Sequence, residues 1–251
     1  MKQIESLREA MIVEQIVARG VRDPRVLDAM GRVPREIFVP ETLVDLSYSD
    51  NALPIAAGQT ISQPYIVALM AEALSLKGSE RVLEIGAGSG YAAAVLAGIA
   101  KDVYTVERIE ELARSAAVNL AKAGCANVHV KCADGTRGWA EFAPFDAILV
   151  SAGAPSIPVS LKKQLAVGGR LVIPVGDDPR VQELIRITRK SETKFNREDL
   201  ADVRFVPLIG EEGWESEAGE AQNGRARVLQ SRPTVQPSLP TQNPAQFHGI
   251  E

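Results

Sequence analysis

The spacing of apolar positions changes along the chain, and the change divides it. Over residues 3–19, "QIESLREAMIVEQIVAR", Ile4, Leu7, Met11, Ile12, Ile16 and Val17 recur at helical spacing. That predicts an amphipathic helix closed by Gly20. "DPRVLDAMGRVPREIFVP" predicts a second short helix, with Pro24 near its start and Gly31 after it. The stretch from there to Pro64, with Pro40, Pro54 and Gly58, reads as loop. From Tyr65, "YIVALMAEALSL" predicts a strongly apolar helix that stops at Lys77-Gly78.

A regular alternation follows. "RVLEIG", "DVYTVE", "VHVKCAD", "FDAILVSAG" and "RLVIPVG" have the length and apolar content of buried strands. "SGYAAAVLAGIA", "RIEELARSAAVNLAKAG" and "PVSLKKQLAVGG" read as helices, the last two with glycine stops. "VQELIRITRK" and "DVRFVPLIG" read as a closing antiparallel pair. Strands alternating with helices predict an α/β fold, a mostly parallel sheet with helices on both faces. After Trp214 the pattern fades into a stretch with Pro233, Pro237, Pro240, Pro244 and many Gln. The expected division is a domain over 1–214, with a helical addition over about 1–64 and a core over about 65–214. A mobile or draped tail over 215–251 completes it.

Composition narrows the function classes. Of 251 residues, 45% are hydrophobic and 24% charged, the balance of a soluble globular protein. A formal net charge of -4 gives no basic field, so nucleic acid is not an expected partner. "MKQIESLREA" has no apolar core of a secretory signal, and no apolar run has the length of a membrane span. Two cysteines, Cys125 and Cys132, are too few for a disulfide framework and suit a reducing cytoplasm. With only His129 and His248 as histidines, no metal-ligand spacing exists. A monomer is the default expectation.

The chemistry gathers at strand ends. "VLEIGAGSGY" places Gly86, Gly88 and Gly90 between a strand and a helix. Glycine lets the backbone turn tightly there and lets a ligand approach it. Glu107 ends the next strand, where an acid can accept both ribose hydroxyls of an adenosine. Tyr91 stands where a dinucleotide fingerprint needs its third glycine, which disfavours a dehydrogenase. Glu84, just before the loop, is awkward beside a phosphate and suits an amine-bearing ligand. S-adenosylmethionine carries adenosine, an ammonium and a sulfonium, with no phosphate. Asp134, with Gly135 beside it, can accept the adenine amino group. Each feature also has a plain alternative: a ligand-free turn, a solvated acid and an ordinary Asp-Gly turn.

"VPREIFVP", "ALPI", "GQTISQPY", "FDAILVSAGAP", "LKKQLAVGGRLVIPVG" and "VRFVPLIGEEGW" occur in an order and spacing that resemble the protein-L-isoaspartate O-methyltransferase family, from about residue 3 to Trp214. The resemblance implies a Rossmann-like methyltransferase fold with a seven-stranded sheet, and S-adenosylmethionine as donor. The implied acceptor is the α-carboxylate of L-isoaspartyl, secondarily D-aspartyl, residues in age-damaged proteins. It carries the active-site serine to Ser62. Cofactor contacts fall on Gln59, Thr60 and Ile61, on Gly86, Ala87 and Gly88, on Glu107 with Arg108, and on Asp134 with Gly135. Glu84 joins them as the expected partner of the cofactor's amine. Val206, Pro207 and Leu208 fall where the family holds the substrate backbone, so an edge strand is expected there. A core strand with Pro207 at a bulge is the plain alternative. The proline-rich tail departs from the family pattern. Ser62 also reads as a helix cap before Pro64. Competing functions are a methyltransferase of small molecules or nucleic acid on the same fold, and a non-catalytic isoaspartyl-binding adaptor. No base-flipping signature favours nucleic acid.

Overall fold

The computed structural model describes residues 2–178 and 180–215. The expected 215–251 tail lies outside the described residues apart from Glu215.

The first periodic stretch is one helical rod with three windings. It is α-helical over Lys2–Ala10 (α1), widens to a π-helix over Met11–Ile16 and tightens to a 3-10 turn over Val17–Arg19. Gly20 ends it at φ 101°, a left-handed conformation that costs glycine little. The second helix, α2, spans Pro24–Arg32, with the Asp23 carboxylate capping the Arg25 N–H. Gly31 lies inside α2 and not beyond it. A Cβ there would sit 3.3 Å from Ile12 Cδ1, so the glycine admits the first rod. The stop comes instead from Pro34, which drives Val33 to an extended ψ of 117°. Two short strands, β1 (Leu53–Pro54) and β2 (Thr60–Ile61), pair antiparallel and give the expected loop a small rigid hairpin. Helix α3 follows over Pro64–Leu74.

The main sheet is built from β3 (Arg81–Ile85), β4 (Asp102–Glu107), β5 (Val128–Cys132), β6 (Phe145–Val150), β7 (Leu165–Asp178), β8 (Val181–Arg189) and β9 (Phe195–Val203). Helices α4 (Tyr91–Ala97), α5 (Glu110–Lys122) and α6 (Val159–Gln164) connect them. The strand order is β5-β4-β3-β6-β7-β8-β9, and the first five are parallel. The chain winds outward from β3 through β4 to β5, then returns to lay β6 on the other side of β3. That reversal opens a crevice at the carboxyl ends of β3 and β6. Alternate residues of each strand serve opposite faces. Val82, Val103, Ala147 and Leu149 pack with the N-terminal helices and α3 to α5, whereas Leu83, Ile85, Ile148 and Val150 pack with Leu161 of α6.

Two sequence boundaries shift. The helix expected over 158–169 ends at Gln164, because Leu165 already pairs with Phe145 as the first residue of β7. Gly168 and Gly169 therefore lie in an irregular strand, where a Cβ on Gly169 would come within 2.8 Å of Asp146 O. The partner of β8 is Phe195–Val203, not the expected 202–210. This outer strand is charge-rich, and Glu183–Arg197 and Arg186–Glu198 pairs cross to it. Edge strands commonly carry such charge.

Candidate active site

The three glycine-loop residues that need it adopt φ of 89° at Gly86, 54° at Gly88 and 92° at Gly90. The loop turns from β3 into α4 and leaves an open cleft over the strand ends, about 780 Å³ when the solvent at its mouth is included. Gly135 approaches from the loop after β5 and cannot carry a side chain, since its Cβ would fall 2.5 Å from Ile85 Cγ2.

Glu107, at the end of β4, is fixed by two backbone donors. Gly88 N–H donates to Oε2 and Ile109 N–H to Oε1, both at 2.9 Å. An ionised carboxylate offers about four lone-pair sites, so about two remain for a pair of ligand hydroxyls. Glu84 differs. Its carboxyl is fully buried. Thr105 Oγ1 donates to Oε2 at 2.6 Å, while Oε1 has no partner among the described residues. Burial pushes its pKa up to about 8. The Thr105 hydrogen bond opposes the rise, and the nearby Glu107 charge adds to it. A buried acid with one unpartnered oxygen, lining a cleft beside a second acid, has the chemistry to receive a cationic group.

Ser62 follows β2 on the other wall of the cleft. The helix cap of α3 is Gln63, with no side-chain hydrogen bond, so Ser62 is not the cap. Its hydroxyl has no hydrogen-bond partner among the described residues, while its carbonyl accepts from Arg35 Nη2 at 2.8 Å. Ile61 is buried beside it, Gln59 is half-buried and Thr60 is exposed.

A strap over residues 205–214 closes the third side. Gly153, after β6, donates to Val206 O at 2.8 Å and accepts from Leu208 N–H at 2.7 Å. Trp214 Nε1 donates to the same Gly153 carbonyl at 3.0 Å. The expected edge strand at Val206–Leu208 is thus an isolated parallel bridge to Gly153, with one edge already used. Pro207 has no N–H, and its carbonyl, on the opposite edge, has no partner among the described residues. Further along, Asp134 fastens the strap. Its Oδ1 accepts from Thr136 N–H (2.9 Å) and Thr136 Oγ1 (2.7 Å), and its Oδ2 from Glu211 N–H (2.8 Å). Partial burial tends to raise its pKa, but these hydrogen bonds together outweigh it and hold the carboxyl below the usual range. By the same lone-pair count, about one acceptor position is left.

Every cofactor, substrate or catalytic residue expected from the sequence lines this cleft except Asp134: Gln59 to Ser62, Glu84, Gly86 to Gly88, Glu107, Arg108, Gly135 and Val206 to Leu208. Asp134 stands behind Gly135 and holds the loop. Sequence reasoning missed Ser151 and Ala152, which follow β6, and Ile209 of the strap. The end of "FDAILVSAG" was the available signal, because its strand adjoins β3 at the crevice. His129 is exposed and stacks on Tyr104, with centroids 4.7 Å apart, away from the cleft. Trp139 and Phe142 pack on the same Tyr104 ring. Cys125 packs against the core, whereas Cys132 is exposed. Among the described residues no helix is long and apolar enough to cross a membrane.

Comparison with known proteins places this architecture. The sequence profile of protein-L-isoaspartate(D-aspartate) O-methyltransferase matches residues 6–213. A protein-L-isoaspartate O-methyltransferase 2 of Marinobacter nauticus is 62% identical over 213 residues, covering 85% of this chain and 97% of the relative. A Rhodopseudomonas palustris protein-L-isoaspartate O-methyltransferase is 60% identical over 217 residues, covering 86% and 100%. A solved protein-L-isoaspartate O-methyltransferase superposes with TM-score 0.75 at 29% identity, over 90% of this chain and 71% of the other. A Plasmodium falciparum structure assigned to the same activity, in complex with S-adenosyl-L-homocysteine, gives 0.69 at 29% identity, over 82% and 97%. With its sheet order, its glycine loop and these matches across most of its length, the chain belongs to the protein-L-isoaspartate(D-aspartate) O-methyltransferase family.

Proposed function

We propose that this protein is a repair methyltransferase that esterifies the free α-carboxylate of L-isoaspartyl, and secondarily D-aspartyl, residues in damaged proteins. Family membership supports the reaction class. The observation in the fold that carries the reading is the pairing of two unsatisfied groups across one cleft: the buried Glu84 Oε1 and the free Ser62 hydroxyl.

The residues present fit the cofactor. Glu84 would hold its ammonium, Glu107 its two ribose hydroxyls, and Asp134 with Gly135 its adenine edge. Gln59, Thr60, Ile61, Gly86 to Gly88 and Arg108 would line the rest. S-adenosylmethionine, when bound, supplies an electrophilic methyl group on a sulfonium. The acceptor carboxylate is already ionised near neutral pH, so the chain needs no general base. What it supplies is orientation and exclusion of water, effects that reach ~7–11 kcal/mol in favourable intramolecular cases. The Ser62 hydroxyl would orient one carboxylate oxygen with a single neutral hydrogen bond, leaving the other free to attack. Ile61 and the Val206–Leu208 strap would shut out water, which strengthens attraction between opposite charges. The strap would receive the substrate backbone, with the Pro207 carbonyl as acceptor for one peptide N–H. Esterification makes the carbonyl attackable, since methoxide leaves where the oxide of a carboxylate cannot. The neighbouring amide nitrogen attacks the ester carbonyl, gives up its proton and expels methanol to close a succinimide, and adding water reopens part of it to aspartate.

We place the catalytic domain at 1–214 and read the protein as a cytoplasmic monomer that does not bind nucleic acid. The net charge of -4 and the free, unbridged Cys125 and Cys132 support that setting. Mass spectrometry of an isoaspartyl peptide through repeated cycles of methylation tests the repair reading. Ester, succinimide and a growing aspartyl fraction should appear in that order. A stable methyl product with no succinimide would contradict it.

A further inference from the structure

Arg35 is a fully buried arginine that the sequence offered no reason to single out. It begins the 3-10 turn Arg35–Phe38 directly after Pro34. Its guanidinium joins three separate parts of the chain. Nε donates to Ser47 O at 2.7 Å, and Nη2 donates to Ser62 O at 2.8 Å. Its Cζ lies 4.6 Å from the ring centroid of Tyr91. Tyr91 is the first residue of α4, it lines the cleft, and its ring is itself held edge-on by Phe38 at 5.6 Å.

Two features are hard to explain by packing alone. No carboxylate pairs with Arg35 among the described residues; Nη1 makes no well-formed hydrogen bond there, and the Tyr91 side chain interacts favourably with the guanidinium. A buried charge without a counter-ion is costly, and a buried arginine used only for stability normally has one. The contacts it does make are to two carbonyls and to Tyr91, in directions that suit a planar fork and not a point charge. One of those carbonyls belongs to Ser62, whose hydroxyl is free in the cleft. The other, at Ser47, anchors the fork in the N-terminal addition.

We propose that Arg35 is a positioning residue for the methyl transfer: it pins the Ser62 backbone against the Tyr91 ring so that the Ser62 hydroxyl meets the substrate carboxylate at a fixed angle. This also gives the N-terminal addition a part in the reaction, since the Ser47 carbonyl fixes the far end of the fork. The proposal rests on Ser62 orienting the carboxylate.

A double-mutant cycle with Ser62→Ala and Arg35→Lys tests it, read as kcat/KM for an isoaspartyl peptide with Tm measured on each variant. Lysine keeps the charge and loses the fork. The expected result is a loss of about threefold or more for each single variant, with less than about 1.5-fold further loss when Arg35→Lys is added to Ser62→Ala. Equal losses in both backgrounds would show that Arg35 acts independently of Ser62 and would overturn the proposal. So would full activity in Arg35→Lys. Full activity in Ser62→Ala alone would sink the underlying reading of Ser62, and that single variant reports it separately. If Arg35→Lys does not fold, the shorter, uncharged Arg35→Met replaces it in the same cycle. If neither folds, the residue serves the fold and the positioning role is rejected.

Discussion

Replacing Glu84 by glutamine should stabilise the cofactor-free protein at pH 8 relative to pH 5, while weakening its hold on cofactor. Glu84 is fully buried, and its pKa stands at about 8 against an ordinary 4.5. Between those values the folded state holds a proton that the unfolded state has released. Stability therefore falls as pH rises through this window, and levels off above the folded pKa. At 1.36 kcal/mol per pH unit, the folded protein forfeits about 1 kcal/mol at pH 5 and about 4 kcal/mol at pH 8 through this one group. Glutamine has the same shape and no titration. It adds its own unsatisfied amide, but that cost is the same at both pH values and cancels in the difference. The swing in the stability difference between the two proteins should be roughly 3–4 kcal/mol from pH 5 to pH 8. For a domain of this size that is on the order of 10 °C in Tm. Melting both proteins without ligand at the two pH values measures it. Calorimetric titration with S-adenosyl-L-homocysteine at pH 8 should show weaker binding to Glu84→Gln, because the ammonium loses its anion. Parallel stability profiles for the two proteins would refute the argument, since they would mean that Glu84 is not strained by burial.

Other perturbations follow from the same geometry. Ser62→Ala removes a hydroxyl with no partner in the fold, so Tm should barely move while kcat/KM falls by roughly 3- to 12-fold, the worth of one neutral hydrogen bond. Gly135→Ala drives a Cβ to 2.5 Å from Ile85 Cγ2 and should cost about 1–3 kcal/mol in a urea melt. Asp134→Ala releases two hydrogen bonds within the Gly135 loop and the one that ties that loop to the strap at Glu211, and steady-state kinetics should show KM rising for both peptide and cofactor. Methylating peptide nitrogens one at a time should harm one position most strongly, because the Pro207 carbonyl on the strap's open edge has no partner among the described residues. Uniform tolerance would contradict that placement.

The hydrophobic periods alone are enough to read a parallel α/β sheet, and the strand-end positions of Glu84, Glu107 and Asp134 mark where a ligand would sit. What they do not contain is strand order. Ser151 and Ala152 line the cleft only because β6 returns to lie beside β3, a long-range pairing that leaves no local mark. The outer strand Phe195–Val203 escaped because its charges serve an exposed edge and hide the alternation. Gly31 and Gly169 read as stops, since a glycine admitting a neighbour looks the same in sequence as one ending a helix. Arg35 was invisible for a related reason. A buried arginine and a solvated one are the same letter, and only the approach of Ser47 and Ser62 to its fork tells them apart.

Isoaspartyl selectivity is tested most directly with methyl-labelled S-adenosylmethionine and two peptides that differ only in L-isoaspartate against L-aspartate. Base-labile label should appear on the isoaspartyl peptide and only background on the other, because only the former presents a free α-carboxylate branching from the main chain. Equal label on both peptides, or none on either while the cofactor binds, would contradict it.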